Sequence, residues 1–457
     1  MDLDQEDLGG FGDERLRKLG ARLVGSMHQR PTMCLHALAE DRNEELAFER
    51  FLDHDNVSRA EMLATAGRRT GQRAAGRHVL AIQDTTEFSF PGHAASKQGF
   101  GRSGNDRDPG LFLHPTIAID ADSGGMIGLV GAQVMNRLTP KASDRKRRPI
   151  ERKESYRWLL ATEEAGEVLR DAATVTMVAD RESDIYEHFA RCPAGVQLLT
   201  RAAQDRCCED EGLLFATIDG WAEQDQWSIQ LPERPGCRAR AAVVALRFGR
   251  ISLRRPARLP ASLRERVDLF VVDVAEIGPP KHVEPVHWRL LTTHQVTSVL
   301  QARQIVGWYR QRWTIEQVFR TLKSAGLEAD ASQVTQARRF EKLAVVALIA
   351  AVRIVQIVIA RDGTTGQSMS DAIDPMHEPA LRAINQKLEG RTEKLKNPHP
   401  PTSLAWFAWI VARLGGWSGY SSRGYKPPGP KTIARGLHRL DGRLIGWQLH
   451  SALVRLP

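Results

Sequence analysis

Apolar positions change their spacing along the chain, and the changes mark out its elements. Up to about residue 75 they recur at helical intervals. Asp13 is placed to cap a helix running to about residue 30, residues 44–52 form a short amphipathic stretch, and Ser58-Arg59-Ala60-Glu61 is a capping box opening a third helix. That helix runs into AGRRTGQRAAGR, residues 66–77, with four arginines and no acid. Such a run suits contact with DNA, and it equally suits a solvated linker.

From His78 the pattern shortens to that of strands. VLAIQD is an apolar run ending at Asp84, and PTIAID and MIGLVGAQVM flank the hairpin turn Asp122-Ser123-Gly124-Gly125. After the polar tract SDRKRRPIERK, residues 143–153, a helix is expected around Ser155 to Trp158. Then come a strand, TVTMVAD, ending at Asp180, a helix, DIYEHFA, and a strand, GVQLLTR. Residues 205 to about 300 read as all-β, with short runs WSIQL, RAAVVALRF, RISLRR, VDLFVVDV and HWRLLTT. Helical spacing returns at Ser298 and again over residues 340–361, and LAWFAWIVARL, residues 404–414, is stopped by Gly415-Gly416. KPPGPK, residues 426–431, is a rigid loop before the last helical segments. The order describes an α/β chain whose core is interrupted by a β-rich block and flanked by helical regions. Its expected divisions are 1–75, 76–204, 205–300, 301–362 and 363–457.

Composition narrows the partners. The 457 residues carry a formal net charge of +9, which points to a polyanion, with nucleic acid favoured over membrane. The five cysteines, Cys34, Cys192, Cys207, Cys208 and Cys237, form no CxxC pair, so no zinc cage is expected and a reducing compartment is. MDLDQEDLGGFGDERL has no apolar leader, and LAVVALIAAVRIVQIVIA is interrupted by Arg353 and Gln356, as a buried core helix rather than a membrane span would be. The expected location is the cytoplasm.

Two carboxylates sit where apolar strands end, Asp84 and Asp180. Each is explained by capping the next turn, or by holding a hard divalent cation as one of a set. A third acid lies in YRQRWTIEQVFRTLK, residues 309–323, where Glu316 is surrounded by Arg312, Arg320 and Lys323. On one continuous helix at about 100° per residue, Tyr309, Arg312, Glu316 and Lys323 share a stripe about 60° wide. Trp308, Ile315, Phe319 and Leu322 form an apolar face beside it. Arg312 and Glu316 are then either an ordinary i,i+4 pair or a phosphate grip and a metal ligand.

The spacing Y-x2-R-x3-E-x6-K, met by Tyr309, Arg312, Glu316 and Lys323, resembles the YREK signature of bacterial insertion-sequence DDE transposases. This is a cut-and-paste family that includes hairpin-forming enzymes. IQDTT around Asp84, GLFLHPTIA at 110–118, VADRESDIY around Asp180 and ARLGGW at 412–417 resemble the same family in the same order. Many relatives place a tryptophan where Ala434 precedes Arg435-Gly436, and the acidic start before Asp13 has no clear counterpart.

The resemblance implies a ribonuclease H-like catalytic core with a β-rich insertion before the catalytic Glu. It implies that Asp84, Asp180 and Glu316 form a triad for Mg²⁺, with Mn²⁺ suited to the same ligands. By the same resemblance Tyr309, Arg312 and Lys323 contact the DNA backbone, Trp288 holds a flipped base or is a strand aromatic in the insertion's core, Trp313 is a second wall or helix packing, and Arg201 lies near the substrate. Partners would be the element's terminal inverted repeats and target DNA. A homodimer would join two ends, residues 1–75 reading the repeats and the C-terminal helices pairing the protomers. Two other readings stay open, a nuclease of the same fold that does not transpose and a catalytically silent DNA-binding regulator.

Overall fold

The computed structural model describes residues 7–93, 95–138, 148–208, 212–231, 239–323, 327–329, 332–419 and 426–454. The first acidic residues, the beginning of the 143–153 tract and Cys237 lie outside them.

The N-terminal region is helical: α1 (Glu14–Gln29), α2 (Leu35–Leu38), α3 (Arg42–Asp53) and α4 (Arg59–Ala74). Asp13 caps α1 through the N–H of Arg15, and Ser58 caps α4 through the N–H of Glu61. Only half of the expected capping box forms, because the Glu61 carboxylate accepts from Phe11 N–H at 2.8 Å. The arginine-rich run is helical as far as Ala74 and packed. A Cβ on Gly67 would stand 2.6 Å from the Val130 carbonyl oxygen, and one on Gly71 2.4 Å from that of Val168, so glycine lets α4 lie directly on its neighbours. Arg77 beyond it grips Asp371 through both terminal nitrogens, at 3.1 and 2.8 Å.

One mixed sheet follows, built from β1 (His78–Gln83), β2 (Thr86–Ser89), β3 (Gly101–Arg102), β4 (Pro109–Asp120), β5 (Met126–Met135), β6 (Thr174–Ala179), β7 (Val196–Arg201), β8 (Asp225–Leu231), β9 (Arg240–Arg254), β10 (Arg266–Glu276) and β11 (His287–Thr292). Its order is β2-β4-β1-β6-β7-β11-β10-β9-β8, with β3 and β5 also on β4. β1, β6 and β7 are parallel neighbours, and the remaining pairs are antiparallel. The β-rich block is therefore no separate layer. It extends the sheet through β11, which pairs with β7 at Leu290↔Arg201 and Thr292↔Leu199.

Two expectations for that block fail. It is not all-β, because α7 (Leu214–Asp219) buries Leu214 and Ile218 against it. RAAVVALRF and RISLRR are also not two strands but one, β9, running through Gly249 without a turn. The Trp221 ring lies 3.0 Å from where a Gly249 Cβ would be, so the glycine accommodates a side chain rather than a bend.

α5 (Tyr156–Val168) and α6 (Tyr186–Ala190) share an apolar core with β1, β6 and β7. After the sheet come α8 (Val299–Arg310), α9 (Trp313–Lys323), α10 (Ala337–Ala360), α11 (Glu378–Leu388), α12 (Leu404–Leu414) and α13 (Pro430–Val454). α10 is long and apolar enough to cross a membrane, yet 83% of its apolar window is buried inside the molecule. Its polar Gln356 is satisfied there, donating to the carbonyls of Met126, Ile127 and Asp371. Residues of α1, α3, α4, β1, β4, α9 and α10 share another apolar core. α12 and α13 pack with the end of α10 in a further core, where Ala434 is buried.

Candidate active site

β1 and β6 carry near-continuous apolar runs because parallel strands are covered on both faces. Their register pairs Ile82 with Val178, so Asp84 and Asp180, two residues further on, leave the sheet side by side at its C-terminal edge. Open sheets with parallel strands place their sites at this edge. Each aspartate does cap its own turn, Asp84 Oδ1 accepting from Thr85 N–H at 2.7 Å and Asp180 Oδ1 from Glu182 N–H at 2.8 Å. The capping explanation is thus correct and incomplete, since it uses only one oxygen of each carboxylate.

Across from them comes the α8–α9 junction. The expected continuous helix from Tyr309 to Lys323 is broken at Gln311 and Arg312. There the N–H groups of Gln311 and Arg312 bond to the carbonyls of Trp308 and Tyr309, three residues back, at 3.1 Å each. That tighter winding turns the chain by about 120° per residue and displaces the even stripe drawn on a straight helix. Neither proline nor glycine marks the break.

The junction still brings the polar residues together. Arg312 Nη1 donates to Asp84 Oδ2 at 2.8 Å and stands 3.9 Å from Glu316 Oε1. Asp84, Thr85, Glu87 and Asp180 on one side and Arg312, Glu316, Arg320 and Lys323 on the other line a single open cleft of about 510 Å³. Burial, and after it the charge of Asp180, push the Asp84 carboxyl up to about 7, against the pull of Arg312. Tyr309 is buried at the end of α8, and its phenol is raised by that burial. Among the described residues, no three carboxylate, histidine or cysteine side chains are close enough together to form a ready-made ion cage.

The other expected contacts lie around this cleft rather than in it. Trp288 is half-buried on β11, its ring centroid 5.9 Å from that of Tyr309. Trp313 is 46% exposed at the start of α9, with the Arg312 guanidinium 5.4 Å from its ring centroid. Arg201, at the end of β7, donates to the His287 carbonyl at 2.9 Å and lines a neighbouring cavity of about 540 Å³ with Arg181, Phe215 and Arg289.

Sequence reasoning passed over the residues beneath the cleft. Arg157 of α5 donates through Nε to Thr85 Oγ1 at 2.9 Å and through Nη2 to Glu182 Oε2 at 2.8 Å. His114 of β4 is fully buried and lies 2.8 Å from the same Thr85 hydroxyl. The available signal for His114 was a histidine set between apolar residues in LFLHPTI, which the apolar-run reading averages away. Residues 75–353, well over half the chain, match a family model described as the transposase DDE domain, and the matched span contains every residue lining the cleft.

Proposed function

The chain belongs to the transposase DDE-domain family, and from that premise we propose that it is a metal-dependent cut-and-paste transposase whose ion-holding residues are Asp84, Asp180 and Glu316. The observation that carries this reading is the cleft itself: two aspartates from paired parallel strands face a glutamate and three basic side chains. The donor set suits a hard divalent cation, because all three acids offer carboxylate oxygen and Mg²⁺ keeps several waters of its own. Burial first, and the neighbouring Asp180 charge after it, raise the Asp84 carboxyl, and a cation held between the two aspartates would offset both. Bound Mg²⁺ or Mn²⁺ would supply the charge that activates water and stabilises the leaving oxygen in phosphoryl transfer.

The chain's own residues do the rest by position and charge. Arg320 and Lys323 face the cleft where a phosphodiester would enter. Arg312 offers a fork for phosphate and, without DNA, compensates Asp84. Water cuts one strand at the element's end and frees a 3′-OH. That 3′-OH attacks the opposite strand, closing a hairpin and releasing the flanking DNA. A second water reopens the hairpin, and the same 3′-OH then attacks a target phosphodiester and displaces a target 3′-OH. Trp288, packed beside Tyr309, is assigned to the base extruded at the hairpin, with Trp313 as a further wall and Arg201 near the substrate.

In this reading the core is ribonuclease H-like. Residues 1–75 recognise terminal inverted repeats, 205–300 are the β-rich insertion, and the helices within 363–457 pair two protomers. A strand-transfer assay with pre-cut ends tests the whole. Joined product supports a transposase, and cleavage of intact ends without joining identifies a nuclease instead. Absence of any Mg²⁺- or Mn²⁺-dependent nicking identifies a silent DNA-binding protein.

A further inference from the structure

We propose that a hydrogen-bonded chain, Thr85–His114–Gln83–Thr162–His188–Ser183, buried from His114 onward, is a positioning network that holds Asp84 and Asp180 in fixed relation to each other. The proposal rests on the reading of those aspartates as ion-holding residues.

The network begins beside one aspartate and ends beside the other. Thr85 gives its N–H to Asp84 Oδ1, and its hydroxyl lies 2.8 Å from His114 Nδ1. His114 Nε2 lies 3.0 Å from Gln83 Oε1. Gln83 Nε2 points to Thr162 Oγ1 at 3.4 Å and to the Trp158 carbonyl at 3.5 Å. Thr162 Oγ1 is 2.8 Å from His188 Nε2, and His188 Nδ1 is 3.4 Å from the Ser183 carbonyl. Ser183 Oγ donates to the Asp180 carbonyl at 2.9 Å, and Thr200 Oγ1 donates to the same oxygen at 2.7 Å. Arg157 is a second bridge, tying Thr85 to Glu182, whose own N–H holds Asp180 Oδ1.

The protons have one consistent arrangement at the Asp84 end. The Trp158 carbonyl only accepts, so the Gln83 amide nitrogen faces it and the Gln83 oxygen faces His114. His114 then carries its proton on Nε2 and accepts from Thr85 through Nδ1. Burial and the nearby Arg157 charge keep the ring neutral, as this requires. Thr85 Oγ1 donates to His114 and accepts from Arg157, which fixes its rotation.

Burial makes the arrangement informative. Gln83, His114 and Ser183 are 0% exposed, Thr162 1% and His188 3%. They lie where Leu or Phe would fill the core without needing partners, and an unpaired polar group there would cost about 1–3 kcal/mol. A connected polar chain in place of apolar packing gives direction rather than bulk, and such outer partners orient ligand-bearing groups. Six residues from β1, its following turn, β4, α5, α6 and the turn after β6 join two loops that a parallel strand pair alone leaves free to splay.

The test uses the full-length protein with a duplex carrying the element's end. Thr85→Val removes the bridging hydroxyl, Thr85→Ser keeps it, and His114→Phe fills the ring volume under Trp158 without either nitrogen. Gel shift reports DNA binding, single-turnover nicking in Mg²⁺ reports chemistry, and electron paramagnetic resonance reports Mn²⁺ binding to the DNA-free protein. Thr85→Val and His114→Phe are expected to bind DNA as wild type does, with nicking and Mn²⁺ affinity each lowered about 10–100-fold. Thr85→Ser should restore both. Wild-type nicking and Mn²⁺ affinity in Thr85→Val, or a Thr85→Ser as impaired as Thr85→Val, would overturn the proposal. Should His114→Phe not fold, the Thr85 pair decides alone. Asp84→Ala separates the two levels: if it nicks normally the carboxylate reading fails, and if it is inactive while Thr85→Val is normal only the network fails.

Discussion

Arg312 holds Asp84, donating from Nη1 to Oδ2 at 2.8 Å, while the same nitrogen stands 3.9 Å from Glu316. One guanidinium thus stands between acids that come from opposite ends of the matched span. Substitution Arg312→Gln removes that charge and leaves Asp84 facing Asp180 uncompensated. A hydrogen bond to a charged partner contributes about 1.5–3 kcal/mol, so single-turnover nicking should fall roughly 10–100-fold. Arg312→Lys should recover only part of it, because an ammonium lacks the fork. Full recovery by lysine would show that charge alone suffices.

The Asp84 carboxyl makes the metal-free protein pH-sensitive. An unfolded aspartate titrates near about 3.9, whereas the folded one is pushed up to about 7. Folding therefore favours its protonated form. Its contribution is fully present below about pH 4 and is lost as pH rises through about 7, by an amount on the order of 4 kcal/mol. In EDTA, Asp84→Asn should melt a few degrees above wild type at pH 8 and level with it at pH 4.5. Equal differences at both pH values would contradict the assignment.

Asp84 and Asp180 stood out because each ends a run of apolar residues, and parallel pairing then brings them together without any further signal. The α8–α9 break was hidden, because Gln311 and Arg312 suit a helix as well as a turn and only tertiary contacts choose. Gly249 looked like punctuation between two strands, yet it serves the ring of Trp221 inside one. Gln83 and His114 were absorbed into apolar strands. Their meaning lies in partners up to 79 residues away, which no local pattern encodes.

Trp288 lies beside Tyr309 rather than in the acidic cleft, which separates its effect from the first cut. Stacking on an extruded base is worth about 1–3 kcal/mol. Trp288→Ala should therefore leave the initial nick near the wild-type rate and lower hairpin yield roughly tenfold, read on denaturing gels. Loss of the nick itself would assign Trp288 to holding Tyr309.

The N-terminal helices are packed into the main core through α4. Gly71→Ala places a methyl 2.4 Å from the Val168 carbonyl oxygen. Such overpacking costs about 1–3 kcal/mol, so the variant should melt earlier in calorimetry, as one transition. A separate early transition for residues 7–75 would show that they unfold as an independent unit.

The most direct measurement is single-turnover cleavage of an end-bearing duplex by Glu316→Ala in Mg²⁺, at protein concentrations where gel shift shows the DNA fully bound. Glu316 lines the cleft from the helix opposite Asp84 and Asp180. The predicted result is wild-type binding with nicking abolished. Cleavage retained in Mg²⁺ by the bound variant would contradict the assignment of Asp84, Asp180 and Glu316 as the residues that hold the ion.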